Sequence, residues 1–588
     1  MHIAVVIQDR CQFKKCNYEC RTYCPPVRMG TDTVVITEKG YPRIIEELCE
    51  GCGICAHKCP FEAVKIIGLP EELGEDLIHQ YGENGFRLYR LPRIQKDKVV
   101  GILGPNGIGK STAIKILSGT LIPNLGDYNA QGDWDKVIEF FSGTEMASYF
   151  AKIRDGEIKA VVKPQYVDKI PMVFKGKVKD LLKKADHSGR MDEIARMLNI
   201  ENTLEREVDK ISGGELQSVA IAAALLKEGD VYFFDEPSSY LDIYQRLNVA
   251  RVIRELSSEK IVFVVEHDLA IMDFIADVIH IMYGSEGAYG IVSNVRNTRN
   301  AINSYLQGYL RDENIRFRDW RIEFVVHPPK RKSELPVLIS WDYTEKKYRD
   351  FHLEVHPGEI RIGEVVGIVG PNATGKTTFV KILAGVIKPD RGGARDEIKV
   401  SYKPQYIKSE YDGTVEELLN FTLKEKMLNN FYRAEVLHPL RLKYLYNKEV
   451  KNLSGGEMQR LAIAIALGLD ADLYLLDEPS AYLDSNERMI AAKVIRRYME
   501  NLGKSAMIVD HDVYFIDIIA DSIMVFGGEP GRHGIARGPF SMRDGMNLFL
   551  KNVGITFRRD GDTNRPRINK PGSFNDRDQK SRGEYYYA

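Results

Sequence analysis

Two stretches of the sequence decide the fold: Gly104-Pro105-Asn106-Gly107-Ile108-Gly109-Lys110-Ser111-Thr112 and Gly370-Pro371-Asn372-Ala373-Thr374-Gly375-Lys376-Thr377-Thr378. Both match the phosphate-binding loop G-x4-G-K-S/T, and each follows an apolar run and opens a helical pattern, as the motif requires. Backbone N–H groups of such a loop surround phosphate oxygens, the lysine reaches the β and γ phosphates, and Ser111 or Thr377 binds Mg²⁺. The sequence therefore predicts two P-loop nucleotide-binding modules.

Further motifs recur at matched positions after each loop. They are Pro164-Gln165 and Pro404-Gln405, Ser212-Gly213-Gly214-Glu215 and Ser454-Gly455-Gly456-Glu457, Asp235-Glu236 and Asp477-Glu478 at the ends of apolar strands, and the histidines His267 and His511. The aspartates are predicted to hold Mg²⁺ without contacting it directly. The glutamates occupy the position of a general base or water-positioning group. A lone histidine or acid pair after a strand is usually structural, but recurrence in both halves indicates function.

This set of motifs resembles the tandem ATP-binding cassette (ABC) ATPases. The resemblance implies that the Ser-Gly-Gly segments are signature motifs, that Gln165 and Gln405 are Q-loop residues contributing to Mg²⁺ binding, and that His267 and His511 are switch histidines. Residues 238–242 and 480–484 match the D-loop of that family. Cassettes of the family pair head-to-tail, so Lys110 would share one nucleotide with Ser454, and Lys376 would share the other with Ser212.

An aromatic side chain of the family stacks on adenine about 25 residues before the P-loop lysine. By resemblance, the candidates are Phe86, with Tyr81 near it, and Phe351, with Tyr348 near it. Either phenylalanine could instead be a core residue. A departure from symmetry follows the second signature, where Arg460 corresponds to Ser218 of the first half, and this difference predicts two unequal sites.

All eight cysteines lie between residues 11 and 59. The run Cys49-x2-Cys52-x2-Cys55-x3-Cys59-Pro reproduces the bacterial ferredoxin pattern, whose fourth cysteine serves the other cluster, and a looser run ends in Cys24-Pro. The spacing predicts two 4Fe–4S clusters. One would use Cys11, Cys16, Cys20 and Cys59, and the other Cys24, Cys49, Cys52 and Cys55. Two structural zinc sites or a set of disulfides are the alternatives.

Composition excludes several classes of protein. Of the 588 residues, 44% are apolar and 28% are charged, which is typical of a globular protein and not of a disordered or collagen-like one. The net charge of -1 gives no global attraction to nucleic acid, so contacts of that kind would need local patches. No apolar run approaches the ~18 residues of a membrane span. The N-terminus lacks the features of a signal peptide, and a cytoplasmic location is expected.

The halves differ in spacing, because Lys110 precedes Gln165 by 55 residues, whereas Lys376 precedes Gln405 by 29. The extra residues, about 132–155, predict two amphipathic helices that form either a docking element or a self-packed cap. The segment 291–332 holds nine Arg or Lys and four Asp or Glu. Phe317 and Trp320 among these basic residues suit RNA backbone contact or a packed hinge, with a solvated linker as the alternative.

The order of these parts resembles the ABC subfamily E proteins, also called the RNase L inhibitor family. The resemblance implies an α/β fold with two tandem ABC-type nucleotide-binding domains arranged head-to-tail, preceded by a ferredoxin-like domain with two 4Fe–4S clusters. The implied domains are a ferredoxin-like domain at 1–75, a first cassette at 76–290, a hinge at 291–332, a second cassette at 333–550, and a second hinge strand with a flexible tail at 551–588.

The resemblance also implies a function, which is splitting of ribosomes into subunits after termination or rescue, driven by closure of the cassettes on Mg-ATP. Implied partners are the ribosome, chiefly its small subunit and rRNA, a class 1 release factor or Pelota-type rescue factor, and initiation factors. No membrane partner is implied, and the chain would be a monomer with an internal pseudo-dimer. An ATPase coupled to redox chemistry of the clusters, or one that remodels another nucleoprotein complex, is the alternative.

Overall fold

A computed structural model describes residues 2–324, 335–395, 398–405 and 411–586, without the side chains of residues 71 and 72. The N-terminal domain is built on two small antiparallel sheets, which pair His2–Val6 with Val64–Gly68 and Val34–Ile36 with Pro42–Ile44. Its short helices are Glu19–Thr22, Pro25–Arg28 and Ile54–Lys58. Its apolar core is small and includes buried cysteines, so a metal-bound interior would supply much of its stability.

The first cassette is a twisted sheet covered by helices. Its strands, in spatial order, are Leu77–Gln80, Arg87–Tyr89, Tyr289–Val292, Val278–Ser285, Val99–Leu103, Ile261–Val265, Val231–Asp235 and Ala160–Lys163, and Arg296–Asn297 pairs beside Val278–Ser285. Its helices are Lys110–Leu117, Trp134–Phe140, Glu145–Arg154, Ile170–Val173, Val178–Ala185, Met191–Met197, Gly213–Leu225, Ile243–Leu256 and Leu269–Ile275. The central strands pair in parallel and are buried on both faces, which explains their uninterrupted apolar runs.

The second cassette repeats this order. Its main sheet contains Thr344–Lys347, His352–Val355, His533–Ser541, Ser522–Glu529, Val365–Val369, Ser505–Val509, Leu473–Asp477 and Val400–Lys403, and a separate pair joins Val337–Trp341 to Gly358–Arg361. Its helices are Lys376–Leu383, Val415–Leu423, Asn430–Tyr432, Gly455–Gly468, Ser485–Leu502, Val513–Ile519 and Met542–Val553. The repeat confirms the predicted fold class of two tandem cassettes.

The insertion forms both expected helices, Trp134–Phe140 and Glu145–Arg154. Its apolar side chains pack against the first cassette, because Phe150 is buried in that cassette's core and the Tyr149 hydroxyl donates to the Leu117 carbonyl. Phe140 is the large apolar side chain that it leaves exposed. The packed face corresponds to the cap interpretation, and the docking interpretation stays a prediction for the outer face.

The described part of the predicted hinge, residues 291–324, is packed against the cassettes instead of forming a solvated linker. It contains the helix Thr298–Gln307 and the hairpin Tyr309–Leu310 with Ile315–Arg316, and both Phe317 and Trp320 pack against the main core. Arg318 donates to the carbonyls of residues 305 and 306 and stacks on Trp320 at 4.5 Å. These contacts favour the packed-hinge interpretation over RNA contact for these side chains. Residues 325–332 of the predicted hinge lie outside the described residues.

The expectation of a flexible tail is wrong for the residues described. After the hairpin Phe557–Arg559 with Pro566–Ile568, the chain forms the helix Phe574–Arg582, and Tyr586 is buried. The reason is a polar network instead of an apolar run, since the Tyr586 hydroxyl bonds the buried carboxylate of Asp517.

Two of the domain boundaries predicted from the sequence differ from those in the structure. The sheet of the first cassette continues through Tyr289–Val292 and Arg296–Asn297, past the expected end at 290, because these strands pair with Val278–Ser285. The helix Met542–Val553 crosses the expected end of the second cassette at 550. None of the helices in the described ranges is long and apolar enough to span a bilayer.

Candidate active site between the cassettes

The two cassettes face each other head-to-tail, and an aspartate of each accepts a hydrogen bond from the phosphate loop of the other. The backbone N–H of Asn106 donates to Asp484 Oδ2 at 2.9 Å, and the N–H of Asn372 donates to Asp242 Oδ2 at 2.8 Å. These aspartates end the two D-loops. Each also caps the helix that follows it, so its carboxylate is held in place by its own cassette.

Tyr240 and Tyr482 meet edge-to-face between the cassettes, with ring centroids 6.1 Å apart. Both tyrosines have left-handed backbone conformations, with φ of 66° and 63°. Glu236 and Glu478 are also left-handed, each at φ 48°. Strain of this kind persists only where the surroundings enforce it. Its repetition at matched positions indicates that these turns are built to aim their side chains at the interface.

A cavity of about 1280 Å³ lies between the cassettes. Its lining includes the second phosphate loop with the first signature, Ser212–Gly214, and the tip of the first loop with the second signature, Ser454–Gly456. Ser212 and Ser454 are N-caps of the helices Gly213–Leu225 and Gly455–Gly468. The positive ends of these helix dipoles therefore face the cavity opposite a phosphate loop, which is the arrangement expected for binding an anion from both sides.

The P-loop lysines are buried. Lys110 Nζ donates to the carbonyls of Gly104 and Pro105, at 2.9 and 2.7 Å, and Lys376 does the same in the second loop. Burial lowers the pKa of Lys110, and lowers that of Lys376 to about 8. Lys110 Nζ also lies 3.4 Å from Asn106 Oδ1, and the carboxylates that influence both lysines are more distant, so an anionic phosphate would bind the lysines favourably.

Each glutamate predicted to be catalytic is held by the residues expected around it. Gln165 Nε2 donates to Glu236 Oε1 at 2.6 Å, and His267 Nε2 lies 3.3 Å from the same oxygen. In the second half, Gln405 donates to Glu478 at 2.7 Å and His511 lies at 3.6 Å. The structure thus brings together the glutamine, glutamate and histidine of each half, which lie far apart in sequence.

The pKa values of the two acids in each Asp-Glu pair are shifted in opposite directions. Burial raises the pKa of Asp235 and of Asp477 to about 6. Burial acts in the same direction on Glu236, but the hydrogen bond and charge of His267, with the charge of Lys110, outweigh it and hold the pKa near 2. His511 does the same for Glu478, whose pKa is also about 2. The glutamates are therefore anionic at neutral pH and able to polarise a water molecule.

The aspartates fit a divalent cation. Ser111 Oγ lies 3.4 Å from Asp235 Oδ2. Both carboxylate oxygens of Asp477 are buried, and burial raises the pKa of this carboxyl while the neighbouring Thr377 hydroxyl lowers it. Oxygen donors of this kind, beside a serine or threonine hydroxyl, are the ligands and supports that Mg²⁺ prefers.

Sequence reasoning missed two residue pairs of this site. Lys163 Nζ donates to the carbonyls of Asp235 and Glu236, and Lys403 bonds the carbonyls of Asp477 and Glu478. Burial lowers the pKa of both lysines to about 8. They fix the turn that presents the glutamate. The signal was available, because a lysine directly precedes the Pro-Gln pair in both halves.

The second missed pair is Gln217 and Gln459, three residues after each signature Gly-Gly. Gln217 Nε2 donates to the Glu236 carbonyl at 2.7 Å, and Gln459 donates to the Glu478 carbonyl at 2.6 Å. Each signature helix is thereby bonded to the glutamate of its own cassette. The signature faces one nucleotide position, and that glutamate faces the other. In each half, one hydrogen bond therefore joins groups that lie at different nucleotide positions.

The aromatic candidates lie beside the phosphate loops. The Phe86 ring lies against Gly109, where an added Cβ would meet it at 2.7 Å, and Phe351 lies against Gly375 at 3.2 Å. Tyr81 and Tyr348 are exposed, and the Tyr81 hydroxyl lies 3.4 Å from Thr112 Oγ1. The adenine-stacking role stays a prediction. Phe86 and Phe351 are partly buried, and each packs on a loop glycine at the edge of the apolar core of its cassette.

Arg460 shows a physical basis for inequality of the sites. It lines the cavity, lies 3.3 Å from Glu487 and donates to the Leu440 carbonyl. Its counterpart Ser218 is buried and carries no charge. The site at Lys110 therefore has an additional cation near its signature.

The cysteines fall into the two expected groups. Burial, followed by the thiols of Cys59, Cys11 and Cys16, raises the pKa of Cys20 to about 12. Burial, followed by Cys49, Cys24 and Cys52, raises the pKa of Cys55 to about 11. All eight cysteines are free of disulfides. Four crowded thiols whose charged forms oppose one another fit a site for a cationic iron cluster, which would stabilise the thiolates.

The ferredoxin-like domain reaches the first nucleotide position through one loop. Lys65 Nζ donates to Ser285 Oγ and to the Glu286 carbonyl, at 2.8 and 2.7 Å. Arg10 forms an ion pair with Glu286 at 3.2 Å. The next residue, Gly287, donates its N–H to the Gly107 carbonyl of the phosphate loop at 2.9 Å. These contacts connect this phosphate loop to the domain that carries the cysteines.

Comparison with protein families matches the "ABC transporter" model to residues 92–239 and 353–481. The model "Possible Fer4-like domain in RNase L inhibitor, RLI" matches residues 1–32, and "4Fe-4S binding domain" matches residues 42–65. These matches confirm a chain with nucleotide-binding cassettes and iron–sulfur motifs.

Similar proteins extend along the whole chain. An ABC transporter ATP-binding protein of Methanocaldococcus jannaschii is 54% identical, covering 100% of this chain and 98% of its own length. Translation initiation factor RLI1 of Saccharomyces cerevisiae is 44% identical, covering 100% and 98%. A solved structure described as a model of ribosome-bound archaeal Pelota and ABCE1 has a chain that is 56% identical, with a TM-score of 0.95, covering 100% of this chain and 99% of that one.

Proposed function

Since the chain belongs to the ABC subfamily E family, also called the RNase L inhibitor family, we propose that it splits ribosomes into subunits by ATP-driven closure of its cassettes. The chain is an ABC-type ATPase. The observation that carries the proposal is the pair of hydrogen bonds from Asn106 to Asp484 and from Asn372 to Asp242. The ferredoxin-like domain is linked to the first of these phosphate loops through residues 285–287. Closure and movement of the domain are then parts of one event.

Closure is favoured by ATP because each triphosphate contacts both cassettes. One side supplies the lysine and loop N–H groups around Lys110 or Lys376, and the other side supplies the signature helix that begins after Ser454 or Ser212. A ligand that bridges the cassettes stabilises the closed state by its differential affinity for it. Loss of the γ-phosphate after hydrolysis removes these contacts and biases the chain toward opening.

Hydrolysis is assigned to the glutamates. Glu236 and Glu478 are anionic, are aimed by their turns into the interface, and would orient the attacking water. Gln165 and Gln405 hold the same carboxylates and are placed to sense whether a nucleotide is present. His267 and His511 keep the glutamates charged, which is a positioning and electrostatic role next to the γ-phosphate.

Two 4Fe–4S clusters and two Mg²⁺ ions are the proposed cofactors. Cys11, Cys16, Cys20 and Cys59 would hold one cluster, and Cys24, Cys49, Cys52 and Cys55 the other. Mg²⁺ would be held by Ser111 and Gln165 in one site and by Thr377 and Gln405 in the other, and would there neutralise phosphate charge. The clusters supply rigidity, since metal binding substitutes for the small apolar core of this domain. A rigid domain transmits a displacement instead of absorbing it by local unfolding.

The proposed partner is the ribosome, chiefly its small subunit and rRNA, together with a release factor or a Pelota-type rescue factor. The ribosome-bound structure with Pelota and the RLI1 relative, which is described as a translation initiation factor, support these partners and a link to initiation factors. The net charge of -1 means that contacts with rRNA would come from local basic patches. We place the protein, as a single chain, in the cytoplasm where ribosomes work.

The proposal is tested by sedimentation of ribosomes with a bound rescue factor. The wild-type chain with Mg-ATP is expected to convert them to subunits, whereas ADP or a Lys110→Met and Lys376→Met double variant is expected to leave them intact. Reduction of the clusters with dithionite separates the mechanical function from redox coupling. Splitting that is the same before and after reduction supports the mechanical role, and splitting that requires a change of oxidation state contradicts it.

A further inference from the structure

The two cassettes present different side chains on equivalent positions of their outer β-sheets. In the first cassette, strand Arg87–Tyr89 pairs in parallel with Tyr289–Val292, with Tyr289 opposite Arg87. In the second, His352–Val355 pairs in parallel with the strand that begins at His533, with His533 opposite His352. The first of these surfaces is covered, because Arg87 bonds both carboxylate oxygens of Glu46 in the ferredoxin-like domain.

The equivalent surface of the second cassette carries a histidine–glutamate–histidine cluster. His352 Nδ1 and His533 Nε2 each lie 3.6 Å from Glu354 Oε1, and ligand atoms of the three residues all lie within 4.8 Å of one another. His352 and Glu354 are two residues apart on one strand, so their side chains emerge on the same face of the sheet. His533 joins them from the neighbouring strand.

These separations suit a shared metal ion. With metal–ligand bonds of about 2.0–2.2 Å to imidazole nitrogen and carboxylate oxygen, tetrahedral geometry places ligand atoms about 3.3–3.6 Å apart. The two observed nitrogen-to-oxygen distances already fall at the upper end of that range. Rotation of these half-buried side chains, whose exposed fractions are 29%, 26% and 39%, would complete the set and leave the position open to a metal from solvent.

We propose that His352, Glu354 and His533 form a binding site for a divalent transition-metal ion of the zinc type. Two imidazoles and one carboxylate are borderline ligands that favour Zn²⁺ over Mg²⁺ or Ca²⁺, which take oxygen ligands. The site is therefore chemically distinct from the nucleotide positions, where oxygen donors predominate. Three protein ligands leave a fourth position for water or for an external donor.

The site has a structural consequence for the second cassette. A bound ion would connect strand His352–Val355 with strand His533–Ser541. Phe351, which directly precedes the first of these strands, lies against Gly375 of the phosphate loop and near Gly534 of the second strand. Metal binding would therefore stiffen the part of the sheet that supports the second phosphate loop. The first cassette, with Arg87 and Tyr289 at the paired positions, has no such set of ligands there.

Zinc titration of the full chain tests the proposal. The protein is used with its iron–sulfur clusters loaded, as checked by iron content and absorbance, so that cysteine thiolates do not bind added zinc. After chelator treatment and exchange into buffer with excess Mg²⁺, Zn²⁺ is titrated by calorimetry and by competition with a chromophoric chelator. The wild type is expected to bind one equivalent that Glu354→Gln and His533→Gln lose, and to show a zinc-dependent rise in melting temperature that both variants lack.

His438→Gln is the matched control, because His438 is exposed and lies outside the cluster. This variant is expected to bind zinc like the wild type. Loss of the same equivalent in His438→Gln, an unchanged stoichiometry in Glu354→Gln, or no binding by the wild type would each overturn the assignment. Glu354→Gln keeps the side-chain shape, so the test stands even where a histidine variant folds poorly.

Discussion

The two cassettes are nearly identical where they hold nucleotide and different where they face outward. Lys163, Gln165 and Gln217 in the first half have exact counterparts in Lys403, Gln405 and Gln459, with matching hydrogen bonds. The outer sheet of one cassette carries the ferredoxin-like domain, and that of the other carries an open histidine–glutamate cluster. The nucleotide-binding residues are therefore duplicated in the two cassettes, whereas the contact with the ferredoxin-like domain is made by the first cassette.

The largest expected effect comes from removing both catalytic glutamates. Glu236→Gln with Glu478→Gln removes the anionic carboxylates and should lower the steady-state rate of ATP hydrolysis by roughly a hundred to ten-thousand fold. The variant should retain ATP and stay closed, since the phosphate contacts are intact. The measurement is phosphate release together with retention of labelled ATP. Comparison of the two single variants then shows whether the matched sites turn over equally, and wild-type turnover in the double variant would remove the assignment of the base.

Two aspartates at equivalent positions of the two cassettes bind side chains of the C-terminal segment. Asp273 accepts from Arg565 and Arg567, and its counterpart Asp517 accepts from Arg559 and the Tyr586 hydroxyl. Because Arg565 is fully buried, Asp273→Asn leaves an uncompensated charge and should destabilise the chain by about 3–5 kcal/mol.

The measurement is thermal or denaturant unfolding, with Asp578→Asn as a control. Asp578 pairs with Arg582 on an exposed helix surface, and such pairs contribute about 0–1 kcal/mol. Asp517→Asn should fall between these values, because Tyr586 remains able to donate elsewhere. Equal stability of Asp273→Asn and Asp578→Asn would show that the tail is not held by this ion pair.

A smaller effect is expected from the D-loop contacts. Asp242→Asn and Asp484→Asn keep a helix-capping oxygen but change a charge-assisted hydrogen bond to the opposite phosphate loop into a neutral one, a loss of about 1 kcal/mol. Closure measured by distance between spin labels on the cassettes should then need several-fold more ATP. Because the two bonds have nearly equal lengths, the two variants should behave alike. A large difference between the two variants would show that the two D-loop contacts do not contribute equally to closure.

The smallest effect is predicted for Arg460→Ser, which gives the second signature the residue of the first. Loss of this cation, whose charge is partly offset by Glu487, should weaken nucleotide binding at the Lys110 site by less than about 1 kcal/mol and leave the Lys376 site unchanged. Binding of a fluorescent nucleotide in the Lys376→Met background isolates the first site. An equal change in the Lys110→Met background would show that Arg460 acts on the fold instead of on one site.

Local motifs predicted which side chains the structure brings together, because the chemistry of nucleotide binding fixes both residue type and order along the chain. The cassettes, the glutamate–histidine pairs and the two cysteine groups all follow from such patterns. Lys163 was missed because it acts through the backbone carbonyls of Asp235 and Glu236, so only its repetition as Lys403 before the second Pro-Gln pair could have revealed it. The fold of the tail was missed because buried Arg565 and Tyr586 are held by partners far away in sequence.

The central claim is that closure of the cassettes splits ribosomes through a rigid iron–sulfur domain. Light scattering of ribosomes mixed with the Cys24→Ser chain and ATP, with nucleotide binding measured in the same samples, tests it most directly. Loss of one cluster should abolish splitting while nucleotide binding is retained. Splitting at the wild-type rate by a chain shown to lack that cluster would contradict the account.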